Sequence, residues 1–226
     1  MGLSGLAFLE KLVDYAVDES EEDCSSMALQ LLRSSLISLK AESVTLHLIE
    51  KTGVIEKCST ILEKSESPAV LEAASDLLSL LCVCNEGREV ILELGTVTSI
   101  IGKLFLMLEN DEEGAIVALM ASLMTITVDE LCKQQMYEVD GVTVLLETLK
   151  NRSAKDMTSK VVLNTLQCIS NMAEHPQARQ KLCEGGVQEN LEAILAKADE
   201  EGKPVLKTIA ERTLKYVQFS HLPRRT

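Results

Sequence analysis

Tryptophan is absent from this chain, and aromatic residues make up only 3% of its 226 positions. A core without large rings must be built from Leu, Ile, Val, Ala and Met, and the 46% hydrophobic content supplies enough of them. Such side chains suit closely packed helices. Proline occurs only at Pro68, Pro176, Pro204 and Pro223, which also favours an all-α chain. Histidine is scarce and scattered, at His47, His175 and His221. A Cys/His hydrolase needs a paired base and a zinc site needs clustered ligands, so neither is expected. Glycines do not gather into a phosphate loop. The expectation is therefore a non-enzyme with no cofactor and no metal. The longest apolar run, Leu77 to Val83, is far too short to span a bilayer. No lysine or arginine precedes Lys11, so the start does not resemble a secretory leader.

Positive charge is also in short supply. The chain carries 22 Lys and Arg against 35 Asp and Glu, a net charge of −13. Binding to nucleic acid rests on cations neutralising phosphates, and docking on an anionic membrane needs the same, so both are disfavoured. A protein or peptide partner of basic character is favoured instead. The seven cysteines are odd in number and sit mostly in apolar helical runs. Reduced thiols in the cytosol or nucleus fit this better than secretion. Cys82 and Cys84 form a close pair without a second pair at zinc-finger spacing, so a structural role is expected.

What is present is a repeat. A glycine followed by an apolar-rich helix recurs about every 45 residues, at Gly5, Gly53, Gly95, Gly141 and Gly186. Helical periods of about 40–47 residues mark HEAT and armadillo solenoids. The unit from Gly141 is the clearest. Apolar residues at Val142, Leu145, Leu146 and Leu149 make one helical stripe. A polar break follows at Lys150 to Asp156, then a second stripe at Val162, Leu166, Ile169 and Ala173. His175 and Pro176 open a short helix running to Cys183, and Gly185-Gly186 ends it. Elsewhere Ser67 and Pro68 are expected to start a helix running to about Val83. Asn85 and Asp129 are expected to cap the two short helices that follow the long ones. The expected domain is 1–219, with a basic tail at 220–226.

The segments CISNMAEHPQARQKL and CEGGVQENLEAIL resemble the third-helix and turn-glycine elements of armadillo repeats. The three-helix units favour armadillo over two-helix HEAT repeats. The resemblance implies a right-handed α-solenoid of about four to five repeats. It also implies a groove lined by third helices that binds extended peptides or helices. In peptide-binding members an asparagine ladder holds the ligand backbone, since an amide both donates and accepts hydrogen bonds. The matching positions here are about Ser35, Leu80, Thr125, Asn171 and Tyr216, of which Asn171 keeps the asparagine. Recognition of the nuclear-signal or cadherin type is therefore not expected.

Two candidate surfaces follow. Asn164, Gln167 and Asn171 share one helical face by their i, i+3, i+7 spacing, and Thr125 and Asp76 complete the groove set. Acids form the second. Glu21, Glu22 and Asp23, then Asp111, Glu112 and Glu113, then Asp199 and Glu200 fall at similar offsets within their repeats. Equal offsets in a solenoid give one edge, so an acidic rim for a basic partner is expected. The expected function is a scaffold or adaptor. The resemblance also admits a nucleotide-exchange factor for a seventy-kilodalton heat-shock chaperone. A subunit of a cytoskeletal or ciliary assembly would instead use an exposed apolar end, with Leu3, Leu6 and Phe8 as candidates.

Overall fold

A computed structural model of the chain describes residues 3–16, 22–40 and 42–218. Among them are 14 helices and no strand. The chain divides into two compact units, Met1–Ile126 and Thr127–Thr226.

The first unit holds α1 (Leu3–Tyr15), α2 (Glu22–Leu39), α3 (Glu42–Thr52), α4 (Val54–Lys64), α5 (Pro68–Leu81), α6 (Asn85–Leu94), α7 (Thr96–Asn110) and α8 (Glu113–Ile126). Helix α5 is packed between α2 and α8. Helix α8 is apolar nearly all round, with Ile116, Leu119, Met120, Leu123 and Ile126 fully buried, as expected of a helix with neighbours on most sides. Ala73 and Ala74 on α5 and Ala115 and Ala118 on α8 are buried too. The buried Ser122 hydroxyl crosses that contact and donates to the Ser75 carbonyl at 2.6 Å. A second layer forms where α4 packs on α5, α6 and α7. Within it the buried hydroxyls of Ser59 and Thr96 pair at 2.7 Å.

The second unit holds α9 (Glu130–Glu138), α10 (Gly141–Lys155), α11 (Lys160–Met172), α12 (Pro176–Glu184), α13 (Val187–Glu200) and α14 (Pro204–Gln218). Its packing repeats the first unit's. Helix α11 packs on α14 and α10, and α13 packs on α14. The fully buried Thr213 hydroxyl lies 3.2 Å from the Leu166 carbonyl, to which it can donate. Ser122–Ser75 and Thr213–Leu166 have the same 47-residue separation, so in both units a buried hydroxyl faces the preceding long helix, although Thr213 also lies 2.9 Å from the Ile209 carbonyl of its own helix.

Corners follow backbone chemistry. Gly53, Gly95 and Gly186 have φ of 62°, 66° and 73° and each immediately precedes a helix. At Gly95 the direction changes by 79° between α6 and α7. No single described helix is long and apolar enough to cross a membrane. Two of the expected corners are different. Gly141 is the first residue of α10, and Asp140 takes the left-handed turn with φ of 61°. Aspartate tolerates that region because its short side chain bonds locally, here to the Thr143 hydroxyl at 2.7 Å. Gly5 lies inside α1.

The polar break expected at Lys150 to Asp156 is mostly helix, since α10 runs to Lys155. Polarity misleads there because Arg152 is only 7% exposed and Thr148 is buried, bonded to the Val144 carbonyl. The break from Glu109 to Gly114 likewise shrinks to Asp111 and Glu112, between α7 and α8. Cys84 rather than Asn85 precedes α6. Asp129 caps α9 as expected, accepting from the Leu131 and Cys132 amides. His175 caps α12, its Nδ1 accepting from the Ala178 amide at 3.3 Å. That leaves Nε2 to donate to Gln134 Oε1 at 2.8 Å.

Candidate functional site

Helix α11 turns Val161, Val162, Leu166 and Ile169 into the core, all fully buried. The 3.6-residue period then leaves Asn164, Gln167 and Asn171 half-buried on its other side. The three therefore share one face, as their spacing predicts. Gln167 Nε2 donates to Asn171 Oδ1 at 3.3 Å. Asn171 Nδ2 donates to the Thr127 hydroxyl at 3.2 Å. From α14, the Arg212 guanidinium donates to Gln167 Oε1. Arg212, Gln167, Asn171 and Thr127 thus form a hydrogen-bonded row across the second unit. Both ends of the Gln167 amide are engaged, which fixes its orientation.

Arg212 and Thr127 were not among the residues expected from the sequence. Their signal is the repeat itself. Arg212 lies 45 residues beyond Gln167, and Thr127 lies 44 before Asn171, close to one period in each direction. Beside this row Lys133, only 3% exposed, reaches Glu174 at 2.7 Å and Glu130 at 3.2 Å. The Glu174 pair ties α9 to the segment entering α12.

The groove residues of the first unit have different surroundings. Asp76 on α5 is half-exposed and lies 3.3 Å from Arg33 Nε on α2. Thr125 on α8 turns its hydroxyl back to the Ala121 carbonyl at 3.1 Å. Neither joins a row like that on α11.

Asp23, Asp111, Glu112, Glu113, Asp199 and Glu200 are exposed, but the acidic residues are not equivalent. Glu21 lies outside the described residues, Glu22 opens α2, and Asp23 is exposed. Asp111 ends α7 with φ of 59° and Glu113 starts α8. Asp199 and Glu200 instead fall in the last turn of α13. Asp199 is also engaged by Lys207 at 2.6 Å, and that carboxylate pushes the Lys207 amine above its ordinary range. The tail at 220–226 lies outside the described residues. Phe8 on α1 is 54% exposed and Leu6 is half-buried, while Leu3 opens α1.

Burial pushes Cys58 up to about 12 and raises Cys168 and Cys84 as well, so all three are protonated at neutral pH. Cys84 Sγ points at the Leu81 carbonyl, 3.1 Å away. His47 pairs with Glu10 at 2.8 Å. No group of three His, Cys, Asp or Glu side chains is arranged to hold a metal ion among the described residues.

Asp140 gives a pH prediction. Its hydrogen bond from Lys181, then that from Thr143, holds its carboxyl below the ordinary range. A depressed carboxyl contributes stability above its unfolded value of about 3.9, lost as pH falls through the lower folded value. The pair is largely exposed, so solvent screening limits it to roughly 0.3–0.5 kcal/mol. Urea midpoints at pH 6 and pH 3 should converge slightly in Asp140→Asn, which keeps the left-handed tolerance but cannot ionise. An unchanged gap would remove Asp140 from the acid response.

No protein-family model matches the chain, and no curated protein matches it. Solved structures do. One is an engineered protein from the Northeast Structural Genomics Consortium, with a TM-score of 0.76 at 19% identity over 93% of this chain and 48% of its own. The chain thus spans about half the length of that protein. A second engineered protein from the same consortium gives 0.64 at 17% identity, over 93% of this chain and 96% of its own. At these identities the likeness is one of fold, and the fold is all-helical.

Proposed function

We propose that the chain is an armadillo-type, non-enzymatic scaffold that binds a protein or peptide partner, working in the cytosol or nucleus. The α11 face is the binding surface. The observation that carries this reading is the row Gln167–Asn171–Thr127, amides held by side-chain bonds yet half-exposed or backed by a buried hydroxyl. A fixed amide loses little freedom when a ligand backbone arrives, and it can both donate to and accept from that backbone. The net charge of −13 acts at longer range and favours a partner of basic overall character.

Affinity capture at low and high salt, followed by binding assays on purified partners, tests this. Asn171→Ala should weaken the principal partner about 5- to 30-fold, the loss of one or two well-placed hydrogen bonds. If Asn171→Ala and Gln167→Ala bind every partner as well as the parent, the α11 face is not the site. A second reading, a permanent part of a larger assembly joined through the first unit, draws on Phe8, Met27 and Leu31. They are 54%, 62% and 49% exposed. Salt-resistant partners lost on Met27→Asp would favour it over the α11 face.

A further inference from the structure

Cations of the second unit differ in what they meet. Lys133, Lys181 and Lys207 each reach a carboxylate. Lys160, Arg212 and Lys215 form no ion pair with any described residue, although acids outnumber bases across the chain. All three are exposed, Lys160 at the start of α11 and Arg212 and Lys215 on α14, and the two helices pack on each other. Lys160, Asn164, Gln167 and Asn171 follow one another at i, i+4, i+7 and i+11, a single stripe. Lys215 is one turn beyond Arg212 on α14. The nearest acid in sequence, Glu211, faces Lys207 at 4.0 Å, and Lys207 is held by Asp199. Among the described residues the Arg212 guanidinium meets the neutral Gln167 oxygen alone, through one of its five N–H donors.

Unpaired positive charge on these two helices therefore opposes the sign of the whole chain. Screening decides which one a bound segment meets. At physiological salt the Debye length is about 8 Å, so distant acids steer an approaching partner but contribute little at contact. A planar guanidinium with spare donors beside a fixed amide suits a carboxylate, which it can grip with two parallel bonds.

We propose that the α11–α14 face selects an acidic segment: an extended peptide with an Asp or Glu carboxylate on Arg212, flanked by Lys160 and Lys215. This rests on the α11 face being the peptide site, and it assigns the chemistry of the occupant. Basic residues elsewhere in the same partner can still meet the acidic breaks.

A random dodecapeptide library displayed on phage, panned against the full chain, tests it without presuming a partner. Binders should carry Asp or Glu at one fixed position. Synthetic versions should bind Arg212→Gln about tenfold more weakly, and Arg212→Lys by an intermediate amount, since charge survives while the fork is lost. Arg212 is exposed, so both variants should fold, and Lys160→Gln provides a second, smaller loss. Binders without a fixed acid, binders enriched in Lys or Arg at that position, or equal affinity for Arg212→Gln would overturn the inference. If such binders still depend on Asn171, the peptide-binding reading survives. No binders at all, or binders indifferent to Asn171→Ala, would overturn both.

Discussion

Leu78→Ala should lower unfolding free energy by about 3–4 kcal/mol, the largest loss expected from a single truncation. Leu78 is fully buried on α5, the helix that α2, α4 and α8 all pack against. Losing three methyl or methylene-type carbons removes the transfer term, and the rigid neighbours can collapse only partly into the space. Ser75 on the same helix accepts the Ser122 hydroxyl through its carbonyl, which further restrains relaxation. Val83→Ala provides the contrast. Val83 is 67% exposed, and its loss should stay within about 0.5 kcal/mol. Urea midpoints followed by circular dichroism measure both. Near-equal midpoints for the two variants would mean that α5 is not buried as described.

Gly87→Ala should destabilise by about 2–3 kcal/mol, even though alanine is the better helix former. Gly87 lies in the first turn of α6, and an added Cβ would sit 2.2 Å from the Leu81 carbonyl oxygen and 2.8 Å from its carbon. Both are backbone atoms, so no rotamer change relieves the clash. The end of α5 cannot easily move away, because Arg88 donates to the Cys82 and Val83 carbonyls at 2.8 Å each. Helix propensity alone would favour alanine by about 1 kcal/mol. The steric term is larger and sets the sign. Gly102 isolates the smaller one, since a Cβ there meets nothing within 4 Å. Gly102→Ala should therefore stabilise by about 0.5–1 kcal/mol. Stabilisation by Gly87→Ala would show that α6 and α5 are further apart than described.

The same glycines show how far sequence carries. Gly53, Gly95 and Gly186 were legible as corners because a left-handed residue before a helix is strained for most side chains. The corner before α10 was displaced by one residue because aspartate also accepts that backbone, and Asp140 took the turn in place of Gly141. The α10 extension was hidden for another reason. A polar stretch normally signals solvent, but Arg152 and Thr148 are tucked inside the unit. Buried Lys133 escaped in the same way, since nothing in its local sequence announces Glu174 as its partner 41 residues on.

The face of α11 was legible from helical periodicity alone, which needs no tertiary information. Its completion was not. Arg212 and Thr127 reach it from 45 and 44 residues away, and spacing names candidates without giving the side-chain directions that make a bond. Periodicity could place the acidic clusters at similar offsets, yet Asp199 ends a helix and holds Lys207, while Glu113 begins one. Those are different electrostatic positions, favourable only at a helix start.

Hydrogen exchange of the full chain, with and without its tightest dodecapeptide, tests the central claim most directly. Binding should slow exchange in α11 and α14, around Asn171 and Arg212, and leave α2 and the α7–α8 and α13–α14 turns unchanged. Protection confined to α2, or to the acidic turns, with α11 unaffected would contradict it.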